Sequence, residues 1–184
     1  MKKLSIIAVL LPLFISCTKI NNLENIINKN MTGSKGTIVF LDLSSKKKII
    51  YGSNLANIRT TPCSTFKIWN TLIGIENNQI NSENDSFYIW DGITRAYPDW
   101  NKNLNLHEAF QFSCVPAYQI LANKIGQNNM KIWIDKINYG DKDISSGLDI
   151  FWLPRPNKKS IKISPIEQAS LIKKLVNNQL NFSD

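Results

Sequence analysis

The chain has 184 residues, of which 43% are hydrophobic and 10% aromatic, which is enough for one domain with a buried core and too apolar for a disordered protein. The formal net charge is +8, but the lysines are scattered rather than gathered in one stripe. We therefore interpret the charge as a solvated basic surface and predict no nucleic-acid partner.

Residues 1–16 are predicted to be a signal peptide. Two lysines provide a positive start, and the apolar run from Leu4 to Ile15 is too short to span a bilayer comfortably. Ser16-Cys17 resembles a bacterial lipoprotein cleavage site, so Cys17 is a candidate for lipidation, with ordinary cleavage nearby as the alternative. We expect an exported protein, periplasmic or lipid-anchored at the cell envelope, with the anchor as its only membrane contact.

Residues 17–35 are polar and predict an N-terminal tether with one short helix around residues 23–27. Residues 36–184 are predicted to form a single domain. It opens with a β-hairpin, because two runs rich in β-branched residues, Thr37–Leu43 and Lys48–Tyr51, flank a short turn. Both faces of the first run are apolar, so we expect a sheet that is covered on both sides.

Helical patterns or helix-boundary residues mark five later segments. They run from Ser64 to about Asn77, from Asn105, from Pro116 to Gly126, from Asn128 to Ile137 and from Pro165 to about Asn178. Two of the starts have capping-box spacing, Asn105 with Glu108 and Ser164 with Glu167. Strands together with these helices predict an α+β protein.

Ser64 and Lys67 are the first candidates for catalysis. They stand three positions apart at a helix start, so both side chains lie on one helix face. A serine needs a neighbouring base to act as a nucleophile, and a lysine can be that base only when desolvation lowers its pKa. The alternative is a capping serine with a solvated lysine. A thiol nucleophile at Cys63 or Cys114 is a further, less favoured chemistry, since neither has an obvious histidine partner; whether these two cysteines are bridged cannot be decided from the sequence.

A set of motifs in a fixed order adds to this pair. The motifs are Ser64-Thr65-Phe66-Lys67, Trp90-Asp91-Gly92, Ser113-Cys114-Val115, Tyr139-Gly140-Asp141, Phe151-Trp152-Leu153, and Ile163-Ser164-Pro165 with Glu167-Gln168. Each one is weak, but together they resemble the class D (oxacillinase-type) serine beta-lactamases from about Gly36 onward. The resemblance implies the beta-lactamase and penicillin-binding transpeptidase fold, with a helical region and an antiparallel sheet.

The resemblance also implies roles for individual residues. Ser64 matches the acylated nucleophile, and Ser113 matches the serine that relays a proton to the leaving amine. Lys67 matches a lysine that carbon dioxide converts to N6-carboxylysine, the general base, with no other cofactor and no metal. Val115 and Trp152 match the residues that support this carbamate. Without the family, Ser113 is interpreted as a helix cap, and core packing is as good an interpretation of Trp152 as a role in the site.

The chain departs from the family at three places. Asp141 stands where the family usually has Asn, so the hydrogen bonds of that turn are expected to differ. The loop from Pro154 to Lys162 is longer than the family norm, which is expected to displace Trp152. No later Lys-Thr/Ser-Gly segment is present, so we expect a C-terminally truncated member with an incomplete sheet. Loss of one oxyanion donor alone typically lowers turnover by about a hundred- to a thousandfold.

We therefore expect hydrolysis of penicillin-type beta-lactams through a serine acyl-enzyme, impaired by the truncation. Two alternatives stay open. One is a penicillin-binding sensor domain, which acylates without turnover, and the other is an inactive lipoprotein fragment. The expected partners are beta-lactam small molecules, and the sequence gives no oligomeric state or substrate spectrum.

Overall fold

The computed structural model describes residues 22–84 and 86–183. The predicted signal peptide and Cys17 lie outside the described residues, so export and lipidation stay predictions. Among the described residues, none of the helices combines the length and the apolar character needed to cross a bilayer.

The chain divides into two compact units, and the first ends at Asn57. Its described part contains a helix over residues 22–31 (α1), the strands β1 (Ile38–Leu41) and β2 (Lys48–Tyr51), and the short helix α2 (Ser53–Ala56). The two strands pair antiparallel, which confirms the predicted hairpin. The expected cover on both faces is not found within the described part of this unit, because Phe40 is 40% exposed.

The second unit begins at Ile58 and carries the predicted helical region. Its elements in chain order are a 3₁₀ turn (Cys63–Phe66) that continues into α3 (Lys67–Glu76), β3 (Ser86–Tyr88), a 3₁₀ turn (Pro98–Trp100), β4 (Leu104–Asn105), α4 (Leu106–Gln111), α5 (Val115–Ile125), α6 (Gln127–Lys136) and α7 (Pro165–Val176). All five predicted helices are present. The sheet formed by β3 and β4 was not predicted, since strands this short give no alternating pattern.

Both predicted capping boxes are formed. The Asn105 side chain accepts a hydrogen bond from the backbone N–H of Glu108 at 2.8 Å, and the Glu108 carboxylate accepts one from the N–H of Asn105 at 3.1 Å. Ser164 and Glu167 make the same reciprocal pair at the start of α7. Each box satisfies backbone donors that a helix leaves open at its N-terminus, which fixes where α4 and α7 begin.

A buried aromatic cluster lies directly beside the start of α3. The Phe66 ring meets the Tyr139 and Phe151 rings edge-on, at centroid distances of 5.3 and 4.9 Å, and stacks on Trp152 at 5.7 Å. All four side chains are fully buried. Because Phe66 is the neighbour of Lys67 in the chain, this packing holds the turn that carries the candidate catalytic pair.

The Tyr139-Gly140-Asp141 turn requires glycine at its centre. Gly140 has φ +51°, and a Cβ atom there would overlap the carbonyl oxygen of Lys162. The backbone N–H of Asp141 donates to that same oxygen at 3.0 Å, and Asp141 Oδ1 accepts from the backbone N–H of Lys162 at 2.9 Å. Asp141 accepts this bond through an oxygen that an Asn side chain also has, so the bond itself does not require Asp. The expected difference in the hydrogen bonds of this turn stays a prediction.

We predict that Gly140→Ala lowers the free energy of unfolding by about 3 kcal/mol, because it adds a backbone overlap to the strain of a positive φ. Gly92→Ala is the matched control, since Gly92 has φ +80° and a Cβ added there would meet no atom within 4 Å. It should cost only about 1 kcal/mol. Urea denaturation measures both values, and equal losses in the two variants would contradict the close approach at Gly140.

Candidate active site

Ser64 and Lys67 are brought together by the 3₁₀ turn that leads into α3. Residues three apart eclipse one another in a 3₁₀ helix, and Lys67 Nζ lies 3.0 Å from Ser64 Oγ. The alternative of a capping serine with a solvated lysine is wrong. No side-chain capping bond starts this turn, and Lys67 is only 2% exposed.

Ser113 completes a three-residue cluster with this pair. It lies in the corner between α4 and α5 with φ 52°, and its Oγ accepts from Lys67 Nζ at 3.0 Å. The interpretation of Ser113 as a helix cap is also wrong, because Cys114 occupies that position and α5 has no side-chain cap. One amine therefore contacts two hydroxyl groups from different parts of the helical region.

Lys67 is buried without a counterion. Among the described residues no carboxylate lies within 4.0 Å of its Nζ. Burial lowers the Lys67 pKa from 10.5 to about 8, against the smaller opposing influence of the Cys114 and Cys63 thiols. A substantial fraction of the amine is consequently neutral near physiological pH, which is the form that can accept a proton.

The Tyr118 ring forms one wall beside the amine. Its centroid lies 5.6 Å from Lys67 Nζ, and its hydroxyl shares a 2.9 Å hydrogen bond with Thr71 Oγ1. Burial raises the Tyr118 pKa to about 12, despite the lowering effect of the Thr71 hydroxyl. Tyr118 therefore stays neutral where Lys67 titrates and does not compete with it as the base.

Trp152 is both a core residue and an unsatisfied donor. Its indole is fully buried and stacks on Phe66, yet Nε1 has no hydrogen-bond partner among the described residues. In the loop that follows, Ile161 N–H donates to the Phe151 carbonyl at 2.8 Å, and the displacement of Trp152 stays a prediction. Val115, the first residue of α5, is half-buried two positions after Ser113.

The two cysteines flank the cluster and are both free thiols. Cys63 precedes Ser64 and is exposed, whereas Cys114 follows Ser113 and is buried. Burial raises the Cys114 pKa, which keeps that thiol protonated and unreactive. The structure therefore places no disulfide at this site and favours an oxygen nucleophile.

Contacts from α7 and the residues just before it to the segment before Ser64 could not be predicted from the sequence. Thr60 and Ile163 exchange two backbone hydrogen bonds at 3.1 and 3.0 Å, and Arg59 Nε donates to both carboxylate oxygens of Glu167 at 3.1 and 3.0 Å. The partners stand about a hundred positions apart in the chain, so no spacing rule connects them. The only signal was the Glu167-Gln168 motif itself.

Comparison with known proteins identifies the family. The family model for the penicillin binding protein transpeptidase domain matches residues 28–183. A probable beta-lactamase of Bacillus subtilis, YbxI, is 37% identical over 156 residues, which are 85% of this chain and 57% of that protein. The chain thus spans somewhat more than half the length of this relative.

Solved structures agree with this match. The class D beta-lactamase FUS-1 (OXA-85) of Fusobacterium nucleatum subsp. polymorphum is 39% identical with a TM-score of 0.79, covering 89% of this chain and 65% of its own. The C-terminal domain of the Bacillus licheniformis BlaR penicillin-receptor is 31% identical with a TM-score of 0.75, covering 82% and 58%. The predicted resemblance and fold are confirmed, and the chain belongs to the penicillin-binding protein transpeptidase domain family, among relatives of the class D beta-lactamase type.

Proposed function

We propose that this protein hydrolyses beta-lactams through an acyl-enzyme on Ser64. One observation carries the proposal: the buried Lys67 amine, with a pKa near 8, lies 3.0 Å from both Ser64 Oγ and Ser113 Oγ. A base within hydrogen-bond reach of a nucleophile, and in contact with a second proton carrier, is the arrangement that acyl transfer requires.

The acylation step follows from these three groups. Ser64 Oγ attacks the beta-lactam carbonyl carbon while Lys67 takes the hydroxyl proton, and the C–N bond of the ring breaks. Ser113 donates its proton to the departing ring nitrogen and is reprotonated by Lys67. The products are an ester on Ser64, a ring-opened secondary amine and a neutral Lys67, so protons and charge balance.

Lys67 is also the base for hydrolysis of the ester, where it takes a proton from water and passes it to Ser64. A water molecule attacks the acyl carbon, the Lys67 side chain takes its proton, and that proton returns to Ser64 Oγ as the ester bond breaks. The opened acid leaves and Ser64 is restored. The low pKa of Lys67 matters in both halves because an ammonium cannot accept a proton.

We also propose that carbon dioxide binds Lys67 as a carbamate. The residues present fit this group, since a neutral amine is the reactive form and the unpaired, buried Trp152 Nε1 is a donor for an anionic oxygen. When bound, the carbamate supplies a carboxylate-like base at the end of the lysine side chain. Val115, close to Ser113 in the chain, is proposed to keep the surroundings apolar.

A penicillin sensor is a second candidate function. The observation that favours it is the likeness to the BlaR penicillin-receptor domain. A sensor shares the acylation step and differs in retaining the acyl group. The lifetime of the ester on Ser64 therefore decides between the two.

Ser64→Ala is predicted to abolish covalent labelling by a fluorescent penicillin, because the acyl acceptor is lost. Cys63→Ala, which alters the adjacent exposed thiol, should label like the parent chain. Denaturing gel electrophoresis with intact mass measurement checks both. Labelling that survives Ser64→Ala but disappears in Cys63→Ala would establish a thiol nucleophile instead. After transfer to buffer without penicillin, an enzyme loses the label while a sensor keeps it.

Acylation is predicted to rise with pH and to respond to bicarbonate. In buffer free of carbon dioxide, Lys67 is protonated below its pKa of about 8, so the rate at pH 6 should be about a hundredfold below the alkaline plateau. Added bicarbonate should raise the rate near neutral pH. Stopped-flow labelling from pH 6 to 9 tests this, with Lys67→Arg as the unreactive control. A rate that is flat with pH and indifferent to bicarbonate would exclude Lys67 as the base.

A further inference from the structure

A short chain of side-chain hydrogen bonds joins α7 to the turn that bears the nucleophile. Gln168 Nε2 donates to Thr65 Oγ1 at 2.6 Å, and Thr65 Oγ1 donates to the Pro62 carbonyl at 2.7 Å. Since the single Thr65 hydroxyl proton is used on Pro62, its oxygen must accept from Gln168. The direction of both bonds is therefore fixed, and the Gln168 amide nitrogen has to face Thr65.

The turn closed by these bonds holds backbone strain beside Ser64. Cys63 lies inside it with φ 51°, a region that costs a non-glycine residue free energy. The Pro62 carbonyl accepts from both the hydroxyl and the backbone N–H of Thr65, the latter at 3.2 Å. A relaxation of Cys63 would rotate the following peptide and carry Ser64 Oγ away from Lys67.

Gln168 reaches this turn from a fixed position. The Arg59–Glu167 ion pair ties the first turn of α7 to the segment before Ser64, and the capping box fixes where that helix begins. Thr61 Oγ1 and Ser160 Oγ form a further bond at 2.6 Å. Because these contacts already hold α7 in place, the Gln168 amide is not needed to position the helix. Its bond instead restrains the turn of residues 62–65.

We propose that Gln168 is a positioning residue for Ser64, acting through Thr65 to hold the strained turn of residues 62–65. The inference rests on the proposed acylation of Ser64 and deepens it. Thr65 is exposed and Gln168 half-buried, so water can replace the lost bond. Loss of the Gln168 bond should therefore change the position of Ser64 Oγ for attack on the beta-lactam and leave the free energy of unfolding almost unchanged.

The first experiment measures acylation by a fluorescent penicillin at saturating concentration. Gln168→Ala should lower the acylation rate constant about tenfold, with unchanged penicillin affinity and melting temperature. Thr65→Val, which also removes the bond to the Pro62 carbonyl, should lower that rate constant at least as much. The double variant should be no slower than Thr65→Val alone, because Gln168 acts through the Thr65 hydroxyl. Thr65→Ser, which keeps the hydroxyl, should restore the parent rate.

Gln79→Ala is the matched control. It removes another glutamine amide bond, from Gln79 Nε2 to the Asn77 carbonyl at 2.9 Å, just beyond the far end of α3. It should acylate at the parent rate. The proposal would be overturned if Gln168→Ala acylated at the parent rate. It would also be overturned if the rate loss of the double variant equalled the product of the two single-variant losses.

A second experiment does not depend on beta-lactam chemistry. Amide hydrogen exchange of the unliganded protein should be about tenfold faster at Thr65 in Gln168→Ala, and unchanged there in Gln79→Ala. If the parent chain fails to react with penicillin, the proposed function is wrong, while exchange still decides whether Gln168 holds the turn. Unchanged exchange at Thr65 in Gln168→Ala would contradict the positioning role in either case.

Discussion

The burial of one lysine amine without a carboxylate partner is the constraint on which this site depends. A pKa near 8 instead of 10.5 corresponds to about 3 kcal/mol of lost stability. The unfolded chain keeps its proton up to pH 10.5 while the folded chain loses it near pH 8, so the cost is fully present below pH 8. It decreases between pH 8 and pH 10.5 and is absent above pH 10.5. Burial of Lys67 thus destabilises the folded protein and at the same time favours the neutral amine, which is the form that can act as a base.

Strained backbone and unpaired polar atoms also lower the stability of this part of the protein. Cys63 and Ser113 both have left-handed backbones without being glycine, at about 1 kcal/mol or more each. The buried polar atoms without a partner among the described residues include Trp69 Nε1, Asn70 Oδ1 and Trp152 Nε1. The aromatic packing around Phe66 and the tie between α7 and the segment before Ser64 stabilise the region against these penalties.

Local rules predicted much of the fold and the identities at the site. Capping boxes at Asn105 and Ser164, and Gly126 after α5, are short-range signals that the structure bears out. The pairing of Ser64 with Lys67 was also local, whereas Ser113 entered through its motif and the family resemblance. The free cysteines, the β3–β4 pair and the Gln168–Thr65 bond could not be predicted, because they depend on how distant segments meet.

The site therefore combines a local pair, Ser64 and Lys67, with residues that are distant in the chain, such as Ser113 and Tyr118. Both kinds of residue contact the Lys67 amine. Desolvation by Tyr118 and the surrounding core comes from tertiary packing, which no spacing of Ser64 and Lys67 can specify. This explains why the motif suggested a catalytic pair but left a solvated lysine as the alternative. The burial of Lys67 and the missing capping bond at the start of the turn separate the two interpretations.

The most direct test of this account is the pKa of Lys67 itself. Protein labelled with ¹³C at the lysine Cε can be titrated by NMR in buffer free of carbon dioxide, and Lys67→Arg assigns the resonance. The account predicts a midpoint near pH 8, separated from the bulk of the lysine signals. A midpoint near the ordinary 10.5 would show that the amine is solvated and charged, and would contradict its role as the base.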